Sequence, residues 1–119
     1  MKKVLATLIV FILTSSCSVF DSLTSNTSIK PNDSFVLGNN EHGSFTVKLK
    51  NVSKNEITIF KTPINGGVHS SQIINPNEIV SIKVDRDTAL VIENKSNDYA
   101  SVDLKVTGDS GLSMTYKNK

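Results

Sequence analysis

The residues that could carry chemistry are sparse. His42 and His69 are the only histidines, and Cys17 is the only cysteine. A histidine becomes a hydrolytic base when a serine lies on one ring nitrogen and a carboxylate orients the other. Serines and carboxylates are abundant here, so their presence selects nothing. There is no G-x-S-x-G elbow, no H-E-x-x-H pair and no phosphate-binding loop. His42 and His69 therefore read as surface loop residues. Asp85, Asp87 and Asp98 supply oxygen ligands that could meet at one end of a fold and hold calcium, although their spacing is not that of an EF-hand. Asp-x-Asp is also ordinary turn chemistry. Asn26-Thr27-Ser28, Asn51-Val52-Ser53 and Asn94-Lys95-Ser96 match the N-x-[ST] glycan-acceptor pattern, which chance matches satisfy readily in a chain rich in Asn and Ser.

Charge and composition exclude more than they suggest. A lone cysteine makes no disulfide within the chain and no cysteine-based zinc cluster. Tryptophan is absent, which counts mildly against a stacking platform for sugars. The formal net charge is +2, but Lys2 and Lys3 lie in the leader discussed next. Without those two, the 13 basic residues of the chain fall into balance with the 11 acidic ones. A protein that grips phosphates needs a surplus of positive charge, so nucleic acid is not an expected partner. No cofactor is implied.

The N-terminus is the most informative stretch. It reads MKKVLATLIVFILTSSC: two lysines, an apolar run from Val4 to Leu13, small polar residues, then Cys17. A membrane-spanning helix needs roughly 20 apolar residues. This run is about half that, as in a cleaved export signal. Leu13-Thr14-Ser15-Ser16-Cys17 resembles the lipobox of bacterial lipoproteins, with the small Ser15 and Ser16 before the cysteine and Thr14 where that family prefers leucine. The resemblance implies that Cys17 becomes the first mature residue and carries acyl chains, palmitate-like in character, on its sulfur and amine. Several acyl chains hold a protein firmly on a bilayer where one holds it marginally, so membrane lipid is the one implied partner. Ser18, in place of the aspartate that retains such proteins at the inner membrane, implies the outer membrane. The alternative is an ordinary secretory signal cleaved near Ser16 that leaves a free thiol.

Beyond Cys17 the elements are strands. Residues 18–33 are rich in Ser, Thr, Asn and Asp without period and read as a tether, with Phe20 the residue that would dock were part of it to form an edge strand. From residue 34 the hydrophobic period is two. Phe45, Val47 and Leu49 alternate with Thr46, Lys48 and Lys50; Ala100, Val102, Leu104 and Val106 alternate with Ser101, Asp103 and Lys105. Val80, Ile82 and Val84 do the same, as do Leu112, Met114 and Tyr116. Residues 56–62 and 89–93 are more continuously apolar, as at a sheet centre. Residues 35–37 and 68–74 are weaker strands, the latter polar enough for an edge. Turn residues recur every eight to twelve positions or so, and Pro63 ends its strand. No internal repeat at a solenoid period appears.

The expected organisation is thus a signal peptide (1–16), a lipidated Cys17 and tether (17–33), and an antiparallel β-sandwich (34–119) that loosely resembles immunoglobulin-like envelope modules. The expected function is that of a non-catalytic, lipid-anchored accessory, adhesion or binding module of the cell envelope. Two alternatives are an inhibitor or immunity protein acting through the loop at residues 62–71, and a small hydrolase using His42 or His69. Tyr99, outward on its strand, is a candidate contact residue.

Overall fold

Alternating apolar and polar residues hide one face of a ribbon and wet the other. The computed structural model, which describes residues 22–109 and 111–117, turns that pattern into nine strands and, among these residues, no helix. They are β1 (Ser22–Ile29), β2 (Asp33–Leu37), β3 (Phe45–Asn51), β4 (Ile57–Pro63), β5 (His69–Ile74), β6 (Ile79–Val84), β7 (Thr88–Asn94), β8 (Ala100–Gly108) and β9 (Met114–Tyr116). One sheet has the order β1-β8-β3-β6 and the other β5-β4-β7-β2-β9. The expected sandwich is present. Its core interleaves Val47, Leu49, Val84, Val102, Leu104 and Val106 of the first sheet with Leu37, Ile57, Ile59, Ile74, Leu90 and Ile92 of the second. Each such side chain removed from water contributes about 1.5–3 kcal/mol.

The pairings are nested: β1 with β8, β2 with β7, β3 with β6, β4 with β5, all antiparallel. The chain runs out through four strands and returns alongside itself through four more. Pairing of β3 with β8 and of β4 with β7 then closes the doubled ribbon into two layers. This is the jelly-roll connection. The likeness to immunoglobulin modules therefore extends to the layers and not to the strand order.

Nested pairing makes the halves β1–β4 and β5–β8 equivalent. Exchanging each strand for its counterpart in the other half turns β1-β8-β3-β6 into β5-β4-β7-β2, the order of the second sheet. Two sequence motifs mark the equivalence. Ile29-Lys30-Pro31-Asn32-Asp33 joins β1 to β2, and Ile74-Asn75-Pro76-Asn77-Glu78 joins β5 to β6. In each, the fifth residue donates its N–H to the carbonyl of the second (Asp33 to Lys30, 3.2 Å; Glu78 to Asn75, 3.0 Å). Asn32 and Asn77 sit at φ 58° and 68°. Proline followed by a residue of positive φ is a type II turn. The second motif, Asn-x-Ser-x-Asn/Asp, follows β3 and β7 and is described below. The two halves thus share their corner sequences and few other positions.

Two expectations are corrected. The domain begins at least at Ser22, inside the stretch read as a tether: β1 pairs along its full length with β8, from Ser22↔Thr107 to Ile29↔Ala100. It lacks an apolar period because two of its inward positions are Ser25 and Thr27, whose hydroxyls bond each other (3.0 Å). Those groups satisfy one another at an edge strand, and only Leu23 and Ile29 supply apolar packing. Phe20, the signal peptide and Cys17 lie outside the described residues. The second correction concerns β9, whose Met114 and Tyr116 are exposed although their parity is inward. The strand is a three-residue edge at the rim of the sandwich. Leu112 reaches the core, and Tyr116 folds over the rim instead, its ring edge-on to Phe35 (5.4 Å) and its hydroxyl donating to the Ser28 carbonyl (2.7 Å).

Candidate functional site

His42 is buried, not a surface loop residue. It sits in the loop between β2 and β3. Its Nδ1 faces the Gly43 carbonyl (2.5 Å) and its Nε2 the Thr88 carbonyl (2.8 Å), and the ring stands edge-on to Phe45. A neutral imidazole has one N–H and can donate to one of these carbonyls; the protonated ring donates to both. Both ring nitrogens thus face backbone carbonyl oxygens rather than a serine hydroxyl. The loop is tied down further. His42 N–H donates to Asp87 Oδ1 (3.0 Å), and Asp87 N–H donates to the His42 carbonyl (3.1 Å). Asp109 accepts from the N–H groups of Gly43 (2.6 Å) and Gly111 (2.8 Å). Those two bonds, helped by the nearby His42 ring, hold its carboxyl below the usual carboxylate range. His42 is thus the buried rivet of one end of the sandwich. His69 is exposed on edge strand β5, as expected of a surface residue.

The three aspartates do not meet. Asp85 and Asp87 flank the β6–β7 turn, whereas Asp98 lies beyond the far end of β7. A seven-residue strand spans about 20 Å. Asp87 bonds His42 and lies 3.9 Å from Arg86, and Asp98 accepts from Asn55 (3.3 Å). Among the described residues no three His, Cys, Asp or Glu side chains gather as a metal would require.

Two of the three glycan-acceptor matches are structural instead. Asn51 and Asn94 are buried at the ends of β3 and β7. Asn51 Nδ2 donates to the carbonyls of Asn55 (2.9 Å) and Ile74 (3.0 Å), and its Oδ1 accepts from the N–H (3.0 Å) and hydroxyl of Ser53. Asn94 repeats this with Asp98 (2.8 Å), Ile29 (3.1 Å) and Ser96 (N–H 3.0 Å, Oγ 2.7 Å), and also reaches the Lys30 carbonyl (3.1 Å). Each amide closes its own turn and fastens a strand end of the opposite sheet. A side chain so enclosed presents no amide to a glycosylating enzyme in the folded state. Asn26 is exposed, with Nδ2 bonded to Asp103 (2.7 Å) and Ser101 (3.2 Å). Tyr99 is exposed, 65%, in keeping with its outward parity.

What the sequence reading missed is a surface. The outward residues of the four-stranded sheet form successive rungs: Thr107–Thr46–Lys83 across β8, β3 and β6, in register with Ser22 of β1, then Thr24–Lys105–Lys48–Ser81 and Asn26–Asp103–Lys50–Ile79 across all four strands. Lys48 and Lys105 are directly opposed, an arrangement that destabilises a sheet. Asp103 is the one acid on these rungs, and it is held by Asn26. The ion pairs among the described residues, Arg86–Asp87 and Lys95–Glu93, involve none of Lys48, Lys50, Lys83 and Lys105. The lysines were legible as outward residues, but they lie on separate strands, and only the strand order gathers them. Net charge conceals them because the compensating acids lie elsewhere. No family model matches the chain, and no curated protein matches it.

Proposed function

We propose that this protein is a lipid-anchored, non-catalytic β-sandwich of the bacterial envelope, working as an accessory, adhesion or binding module. The observation that carries the reading is the leader that ends at Cys17. The geometry of the folded part supports it: the buried histidine is a structural rivet, and the sequence's candidate metal ligands are spread over both ends of the sandwich. With β1 starting at Ser22, four residues separate the fold from Cys17, a span of five Cα–Cα steps. That is at most about 18 Å of extended chain, so an acylated Cys17 would hold the sandwich close against the bilayer. Mass analysis of the mature N-terminal peptide tests the reading. Acyl chains on Cys17, and release of the Cys17→Ala variant from the membrane fraction, are expected. An unmodified thiol, or a Cys17→Ala variant that stays on the membrane, overturns it.

A second reading, an inhibitor of an envelope enzyme, draws on the loop between β4 and β5. Ile64 and Val68 expose 55% and 64% of their surface there, on either side of Gly66 and Gly67, both at positive φ. An apolar tip turned by two glycines suits insertion into a cleft. Inhibition of an envelope hydrolase that is lost in Ile64→Ser would favour it.

A further inference from the structure

We propose that the outer face of the four-stranded sheet lies flat on the anionic phospholipid surface of the membrane that holds the protein, with Lys48, Lys50, Lys83 and Lys105 toward the headgroups. The proposal rests on the lipid-anchor reading above and adds an orientation to it.

Three observations combine. The first is charge: the four lysines share one sheet face with the single acid Asp103, and none has an ion-pair partner among the described residues. The second is reach. Ser22 stands on the same rung as Lys83, one rung from Lys48 and Lys105 and two from Lys50. Rungs on one face are about 6.6 Å apart, so every lysine lies within about 14 Å of Ser22 along the strands. The five Cα–Cα steps from Ser22 back to Cys17 extend to about 18 Å, long enough to let this face settle on the surface in which the acyl chains sit.

The third is what the other orientation would cost. The end of the sandwich at which β1 begins carries Glu41, Asp85, Asp87 and Asp109 in its loops, against Arg86. A molecule standing on that tip would press carboxylates into an anionic surface. Lying on the sheet removes them from it and brings amines instead. The Lys48–Lys105 opposition then has a use: repulsion that weakens the isolated sheet is relieved when anionic headgroups lie over both amines. Each lysine brought to such a surface strengthens attachment about fivefold, within the short range set by salt.

The test uses the full mature lipoprotein in vesicles. With Cys17 acylated, a single introduced cysteine can be labelled with a fluorophore: Ser81→Cys on the basic face, or Thr115→Cys on the outer face of the other sheet. A quencher attached to lipid headgroups reads proximity. In vesicles containing about one third phosphatidylglycerol, the label at residue 81 should be quenched at least threefold more than the label at residue 115. The difference should vanish in pure phosphatidylcholine and in the double variant K48E/K105E. Equal quenching at the two positions, or a difference indifferent to lipid charge, overturns the orientation while leaving the anchor intact. Absence of acyl chains on Cys17 in the same preparation removes the anchor and the orientation with it. A basic face that stays unquenched on anionic vesicles yet binds heparin through the same lysines would assign it to a soluble polyanion and also overturn the proposal.

Discussion

The outward residues of β3 and β7 hold equivalent places in the two halves of the jelly roll. β3 turns Thr46, Lys48 and Lys50 away from the core, and β7 turns Ala89, Val91 and Glu93. Around β3 the central rung reads Thr24–Lys105–Lys48–Ser81. Around β7 it reads Phe60–Val91–Val36–Thr115, with Val91 only 5% exposed between its neighbours. One sheet has a charged outer face, and the other has an apolar stripe. Their corners, in contrast, are alike in sequence and in hydrogen bonding. Folding demands the corners, because a crossing between layers must satisfy buried carbonyls. It makes little demand on outward positions, and there the halves differ. Under the proposed orientation the lysine face meets lipid, and the apolar stripe of Phe60, Val91 and Val36 is turned away from the membrane.

If the corners are equivalent, breaking them should cost alike. Asn51→Ala removes the amide from the buried Ile74 carbonyl and from the Ser53 N–H, and Asn94→Ala removes it from the buried Ile29 carbonyl and the Ser96 N–H. The Asn55, Asp98 and Lys30 carbonyls keep a second donor in Ser53, Ser96 and Asp33. A buried polar group left without its partner costs about 1–3 kcal/mol. Each variant should therefore lose about 3 kcal/mol and melt about 15 °C lower. Urea titration of both variants measures this. A loss of a few tenths at either corner would show that water replaces the amide there and that the two halves are held differently.

These corners also show where sequence reading succeeds and where it stops. The strands with an apolar period were legible, since Phe45, Val47, Leu49 and the inward residues of β8 need no partner to reveal their face. The polar β1 was not: Ser25 and Thr27 satisfy each other, a relation that no hydropathy pattern records. Asn51 and Asn94 show in the sequence only as chance matches to a glycan-acceptor pattern, because a buried amide and an exposed one share the same letters. The paired Pro-Asn-acid strings at Pro31 and Pro76 were visible, but with residues 18–33 assigned to a tether there was no second half to compare. His42 was assigned to the surface by its neighbours Asn39, Asn40 and Gly43, whereas its burial depends on the Thr88 carbonyl, far away in sequence.

The proline turns give a smaller comparison. Asn32 and Asn77 occupy the left-handed region, which costs an ordinary L-residue about 1–2 kcal/mol and costs asparagine less. Asn32→Ala and Asn77→Ala should each lose about 1 kcal/mol, and the glycine variants should lie within a few tenths of the parent. Thermal melts of the four variants decide it. If Asn77→Ala is neutral while Asn32→Ala is not, the β5–β6 turn is not held in the type II form and the likeness of the halves ends at the strand order.

The smallest effect has the most informative sign. Lys48 and Val91 hold equivalent places, so Lys48→Thr and Val91→Thr make the same side chain in each half. Val91→Thr puts a hydroxyl between Phe60 and Val36 and should destabilise by about 1 kcal/mol. Lys48→Thr removes one of two like charges directly opposed across β3 and β8 and installs a residue favoured in strands, so it should stabilise by about 0.5 kcal/mol. The melting point should rise by about 3 °C at low salt, and the gain should shrink as added salt screens the parent's repulsion. A sequence that keeps a lysine where threonine would fold better keeps it for something outside the fold. Should Lys48→Thr melt lower than the parent, the lysine stems would be supporting the sheet by packing, and the basic face would need no partner to explain it.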